Sequence, residues 1–120
     1  MSRNAEAKIQ AAIVEWVRTV APDILIFSIP NGGLRTKAEA ALFKWTGATA
    51  GIPDLALIIG DGRACFVEVK TPEGRVSPEQ REIMQRLESL GASCIVARSI
   101  DDVRAAFAEW AIPTREVVNG

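Results

Sequence analysis

The sequence predicts an α/β fold, a mixed central sheet flanked by helices, and three observations carry that reading. Apolar residues recur at helical spacing in some segments and form short β-branched runs in others. The two patterns follow the order helix, strand, helix, strand, strand, helix, strand, helix. The adjacent strand pair flanks Gly60-Asp61-Gly62-Arg63, and Asp-Gly between apolar runs is a strong hairpin signal. The 120 residues, 48% apolar and 24% charged, have ordinary globular composition and read as a single domain over 1–120.

Each element has local signals. Asn4 is placed as the cap of a first helix reaching about Val20, with Ile9, Ala12, Ile13, Trp16, Val17 and Val20 as its apolar stripe. Pro22 closes it, and the run from Ile24 to Ile29 is the first strand. Pro30-Asn31-Gly32-Gly33 is a turn cluster. Thr36 opens a short helix with Glu39 completing a capping box, and Gly47 ends it. Ser77 caps the next helix, with Pro78 at its first position and Gln80 closing a second capping box. Its inner face is Ile83, Met84, Leu87 and Leu90, and Gly91 stops it. The run from Ser93 to Ala97 is a strand, joined to the preceding one by a right-handed crossover. Ser99 or Asp101 starts a last helix through Trp110, and the tail after Pro113 is expected to be loose or packed on a neighbour.

The hairpin carries the chemistry. Asp54 precedes one strand run and Glu68 lies late in the other, equally far from Asp61. Pairing therefore sets the two acids opposite or diagonal to one another, within a one-residue register error. Phe66, Glu68 and Lys70 share one face of their strand; Cys65, Val67 and Val69 take the other. Whether Asp54 joins the first face depends on the register, which the sequence leaves open. An isolated Glu-x-Lys on a strand is ordinarily a solvated face. Here the strand is apolar around it, and buried acids and lysines are rare unless paired or bound to something.

These residues resemble the PD-(D/E)xK nuclease superfamily, and within it the VRR-NUC group of virus-type replication-repair nucleases. The likeness rests on Gly51-Ile52-Pro53-Asp54, then Glu68-Val69-Lys70, then Ser77-Pro78-Glu79-Gln80, in that order. It implies a restriction-endonuclease-like αβββαβ core, here with one helix inserted before the hairpin. It also implies a DNA endonuclease that hydrolyses phosphodiester bonds with Mg²⁺ or Mn²⁺, on branched junction or flap DNA, in phage replication or repair. In that reading Asp54, Glu68, Lys70 and Gln80 are catalytic. Asp54, Glu68, the Val69 carbonyl and Glu6, with Glu15 as the alternative acid, hold the metal. The alternative function is a catalytically inert DNA-binding or assembly module that has kept the fold.

The remaining signals set bounds. The chain has no histidine, so a metal must be held by oxygen ligands, which favours magnesium or manganese. A net charge of −1 lacks the basic footprint of a strong nucleic-acid binder. A local basic patch must then meet the phosphates: Arg35, Lys37, Lys44, Arg63, Lys70 and Arg75 are its candidates. Asn31 and Arg35 flank a glycine pair that lets backbone approach a ligand. Asn31, Arg35, Lys44 and Arg75 are taken as the DNA contacts. Cys65 and Cys94 read as small core residues in a reducing cytoplasm, of a bacterial or phage-infected cell. No apolar run approaches the roughly 18 residues of a membrane span. DNA is the expected partner, without a membrane or small-molecule cofactor. A homodimer is expected, with the Trp45 stripe or the last helix, carrying Phe107 and Trp110, as its surface.

Overall fold

The computed structural model describes residues 2–30 and 36–116. Among the described residues, four α-helices and four strands follow the anticipated order: α1 Ser2–Val20, β1 Leu25–Ser28, α2 Lys37–Trp45, β2 Leu55–Ile58, β3 Ala64–Val69, α3 Pro78–Ser89, β4 Ser93–Ala97 and α4 Ile100–Glu109. The sheet order is β1-β2-β3-β4, antiparallel for the first two pairings and parallel between β3 and β4. The fold is thus the mixed α/β sheet flanked by helices that the pattern predicts. Among the described residues no helix is long and apolar enough to cross a membrane.

Local chemistry explains most boundaries. At the β2–β3 turn Asp61 and Gly62 both take positive φ, 73° and 84°, which Asp and Gly tolerate best. Both capping boxes form, Thr36 with Glu39 and Ser77 with Gln80. Ser99 caps α4 by accepting the Asp102 amide. Asn4, in contrast, lies inside α1 rather than at its cap, since the helix already begins at Ser2.

The core lies on one face of the sheet. Leu55, Leu57, Cys65, Val67, Val69 and Ala97 point there and pack against Ile13 and Val17 of α1 and Val103 and Phe107 of α4. Trp16 and Trp110 border this core, with ring centroids 5.5 and 6.4 Å from Phe107. The stripe on α1 is narrower than its sequence suggests, because Ala12 is exposed. The opposite face bears Ala56, Phe66, Glu68 and Cys94 in register. There α3 lies over β4, and Cys94 Sγ contacts the Met84 carbonyl oxygen at 3.8 Å. Cys65 and Cys94 sit on neighbouring strands but opposite faces, so both are free. Leu90 is not on the inner face of α3; it is the C-cap and is 81% exposed.

Two regions differ from a compact expectation. Helix α2 buries none of its residues, leaving Leu42, Phe43 and Trp45 exposed, Trp45 by 83%. The segment after Pro113 is neither loose nor free through Glu116. The Arg115 amide donates to the Val20 carbonyl, and the Glu116 carboxylate takes hydrogen bonds from Trp16 and Arg104.

Candidate active site

The β2–β3 register decides the central question. Leu55 pairs with Val67, so continuing the ladder by one residue sets Asp54 opposite Glu68. The two acids therefore share a face, at the end of the sheet where β3 and β4 finish and β2 begins. Asp54 Oδ2 accepts the Val69 amide hydrogen at 2.8 Å, and the Asp54 carbonyl accepts from Ile29. Pro53, fully buried, sets the entry to this strand and has no amide hydrogen to satisfy. In an extended strand the N–H and C=O of one residue point the same way. The Val69 carbonyl is thereby directed to the side on which Asp54 sits.

Glu68 is the buried member, 3% exposed. Its Oε2 accepts from Gln80 Nε2 at 3.0 Å and lies 3.6 Å from Lys70 Nζ. Its Oε1 is buried with no hydrogen-bond partner. Burial first, then the Asp54 charge, pushes the Glu68 pKa up to about 8, against the pull of Lys70. With both acids ionised neither can donate to the other. A proton on Glu68 turns the pair into donor and acceptor, which also favours the protonated form.

Gln80 performs two tasks with one amide. Its Oε1 accepts the Ser77 amide at 2.9 Å, completing the capping box, while Nε2 holds Glu68. The first turn of α3 is brought there by a close backbone approach. A Cβ on Gly51 would stand 2.6 Å from the Glu79 carbonyl oxygen and 2.9 Å from the Gln80 nitrogen, and Gly51 has φ of 84°. No side chain fits at that point, so the Gly-x-Pro-Asp segment and the Ser-x-x-Gln helix start touch directly.

A hard divalent cation suits this donor set. A buried carboxylate oxygen without a donor, a second carboxylate and a strand carbonyl are all oxygen ligands. Among the described residues no group of three Asp, Glu, His or Cys gathers at metal-binding distance. Glu6 is half-buried on α1 and outside any such group; Glu15 is exposed. The C-terminus of α1 lines a cleft with Ile59, Gly60, Asp61 and Arg63 at the hairpin turn, whereas Ala7 and Gln10 line a second cleft that reaches Phe27 and Ser28 at the end of β1. The N-terminal half of α1, with Glu6, therefore lies toward the Asp54 end of the sheet.

The other sequence candidates scatter. Arg75 is exposed in the linker after Lys70, and Lys37 and Lys44 are exposed on α2. Arg63 does not belong to a patch with Lys70, because it lies just before β3 at the far end and donates to the Trp110 carbonyl at 2.9 Å. Asn31 and Arg35 lie outside the described residues. The sequence alone does not single out Arg98, yet its guanidinium spans the loop that follows Lys70. The available signal was its position just past the carboxyl end of a parallel strand, where α/β folds place functional groups.

A mixed α/β sheet carries Asp54 opposite Glu68, a lysine two residues on and a glutamine from the crossover helix, and its fold is of the nuclease type. The family model of the VRR-NUC domain matches residues 2–101, and the chain belongs to that family. Two solved structures share the fold. One, a VRR-NUC domain protein, is 25% identical with a TM-score of 0.71, over 88% of this chain and 87% of its own. Another VRR-NUC domain is 23% identical with a TM-score of 0.63, over 88% of this chain and 97% of its own. No curated protein matches the chain.

Proposed function

We propose that this domain is a divalent-metal-dependent DNA endonuclease acting on branched DNA, junctions or flaps, in phage replication or repair. The observation that carries the reading is Glu68: a buried acid with one orphan oxygen, facing a second acid and flanked by a lysine. In a fold without another use for it, such a group is costly unless it binds something. Asp54, Glu68 and the Val69 carbonyl, with Glu6 from α1, would hold Mg²⁺ or Mn²⁺. A divalent ion bound there supplies Lewis-acid stabilisation of the phosphate and acidifies water.

The protein's own groups do the rest. Lys70, largely buried beside Glu68, places positive charge where the phosphate gains negative charge during attack. Gln80 fixes the Glu68 carboxylate in one rotamer, so its free oxygen is aimed without reorganisation. Lys44 and Arg75, with Asn31 and Arg35, would meet the flanking phosphates and offset the net acidity. Homodimer formation is part of the proposal. The last helix is not the surface, because Phe107 is core and Trp110 packs against it; Leu25 and Phe27 on the edge strand and Leu42 and Trp45 on α2 are exposed apolar residues of the kind a second copy covers. Light scattering of Trp45→Glu against wild type tests it, with dissociation expected.

One observation favours the inert-module alternative: the described residues bring together two acids, not three. A cleavage panel of labelled branched and linear DNAs with Mg²⁺ or Mn²⁺ decides between them. Lys70→Ala should lower the rate ~10²–10³-fold, as for removal of one preorganised electrostatic contact. A folded Lys70→Ala domain that cuts as fast as wild type removes the assignment. Titration calorimetry with Mn²⁺ that shows no binding supports the inert module.

A further inference from the structure

We propose that Arg98 is a positioning residue for the site, pinning the loop that joins its two halves. The linker 71–76 connects Lys70 at the end of β3 to the Ser77 cap of α3, and so sets where Gln80 meets Glu68. It contains Pro72 and Gly74 and makes no ladder of its own; a turn closes it, with the Gly74 amide donating to the Thr71 carbonyl at 3.0 Å. The same four-residue arc turns three of its carbonyls inward on one side chain. Arg98 Nη1 donates to the Thr71 oxygen at 2.5 Å and the Gly74 oxygen at 2.7 Å, and lies 3.3 Å from the Pro72 oxygen. One nitrogen has two hydrogens, so Thr71 and Gly74 take the strong bonds and Pro72 a grazing one.

Arg98 is itself held. Its amide donates to Asp102 Oδ2 at 2.8 Å, and the Asp102 amide donates to the Ser99 cap of α4. One residue earlier, the Ala97 carbonyl accepts the Lys70 amide at 3.0 Å. The end of β4 therefore fixes Lys70 through backbone and the following loop through a guanidinium. An always-charged, planar donor suits carbonyls at the protein surface better than a flexible ammonium, which water solvates strongly. The α3 start is clamped on its other side by the side-chain-free contact at Gly51. With Gly51 on one flank and Arg98 on the other, Gln80 has one place to sit. Arg98 reaches the reaction only through Gln80 and Lys70.

The proposal rests on the nuclease reading, and the test separates the two. Arg98→Met should lower kcat for DNA cleavage by ~10- to 100-fold with KM little changed, the size expected for slight misplacement of an aligned site. Chain-wide stability loss alone would add to a Gln80→Ala loss; a positioning role predicts that Arg98→Met costs much less in the Gln80→Ala background. Arg98→Lys should recover part of the activity, and carries the test if Arg98→Met does not fold. The second readout is independent of cleavage: the NMR signals of the Gln80 side-chain amide should shift in Arg98→Met. Wild-type cleavage together with a folded, fully active Arg98→Met overturns the proposal and leaves the nuclease reading standing. No cleavage by wild type with any divalent ion fails the nuclease reading. In that case unmoved Gln80 amide signals in Arg98→Met overturn the positioning role, and shifted ones uphold it.

Discussion

Asp54 Oδ2 receives the Val69 amide hydrogen at 2.8 Å, one residue past the last ladder pair of β2 and β3. The carboxylate thus extends the sheet while standing opposite Glu68, so structure and chemistry share one side chain. Asp54→Ala and Asp54→Asn should therefore part company. Loss of a hydrogen bond to a charged group costs about 1.5–3 kcal/mol, so Asp54→Ala should unfold at clearly lower denaturant. Asp54→Asn keeps an acceptor oxygen for the Val69 amide, and should lie within about 1 kcal/mol of wild type. Cleavage should fail in both. Equal stability of the two variants would show that the Val69 bond contributes nothing.

Gly51 is where two motifs that are far apart in sequence meet. Its φ of 84° disfavours any side chain, and a Cβ would press on backbone of Glu79 and Gln80 rather than on a side chain able to swing away. Left-handed backbone at a non-glycine residue costs ~1–3 kcal/mol before the clash is counted. Gly51→Ala should push the start of α3 off the sheet and part Gln80 from Glu68. The expected outcome is a folded, destabilised domain whose kcat falls as far as in Gln80→Ala. Thermal melting and cleavage kinetics on the two variants check this, and wild-type kcat in Gly51→Ala would contradict it.

Much of this site is legible in the sequence because its signals are local. Asp54 and Glu68 are symmetric about Asp61, so a hairpin of any allowed register brings them near, and the observed register makes them opposite. Gln80 reads as a cap from Ser77 alone, and its second bond to Glu68 uses the amide nitrogen that the cap leaves free. Other contacts carry no local mark. Arg98 bonds carbonyls 24–27 residues away, and Glu116 meets Trp16 across 100 residues. Such contacts follow from how helices seat on the sheet, which periodicity does not encode. The same holds for α2, whose capping box and apolar pattern predict a helix but not one that buries nothing.

Glu68 should make the metal-free domain less stable as pH rises. Its folded pKa of about 8 lies above the ordinary glutamate value of 4.5, because burial and Asp54 oppose its charge. Between those values the unfolded chain has released the proton and the folded chain has kept it. Stability contributed by this group is therefore full below the unfolded value and declines as pH climbs through the folded one. Glu68→Gln removes the titration while keeping a polar partner for Gln80. In chelator, denaturant melts should find Glu68→Gln more stable than wild type at pH 8, with the gap closing at pH 5. A gap that is constant across this range would rule out the raised pKa.

The C-terminal clasp should respond to acid in the opposite sense. Glu116 takes two hydrogen bonds from Arg104 and one from Trp16, whose ring also lies 5.3 Å under the Arg104 guanidinium. Asp101 completes the group as a second partner of Arg104. The Arg104 bonds first, and the Trp16 bond second, hold the Glu116 pKa down to about 2 from the ordinary glutamate value of 4.5. A depressed acid pKa stabilises the folded state above the unfolded value, and that contribution fades as pH falls through the folded one. The clasp should thus be intact near neutrality and release between pH 4.5 and 2. Because Trp45 is exposed and would mask the change, a Trp45→Phe background leaves Trp16 and Trp110 as reporters. Their emission should shift over this window, and Glu116→Gln should abolish the step while moving neutral-pH emission toward the acid form. Trp emission that stays unchanged down to pH 2 would mean that Glu116 does not anchor the segment to α1.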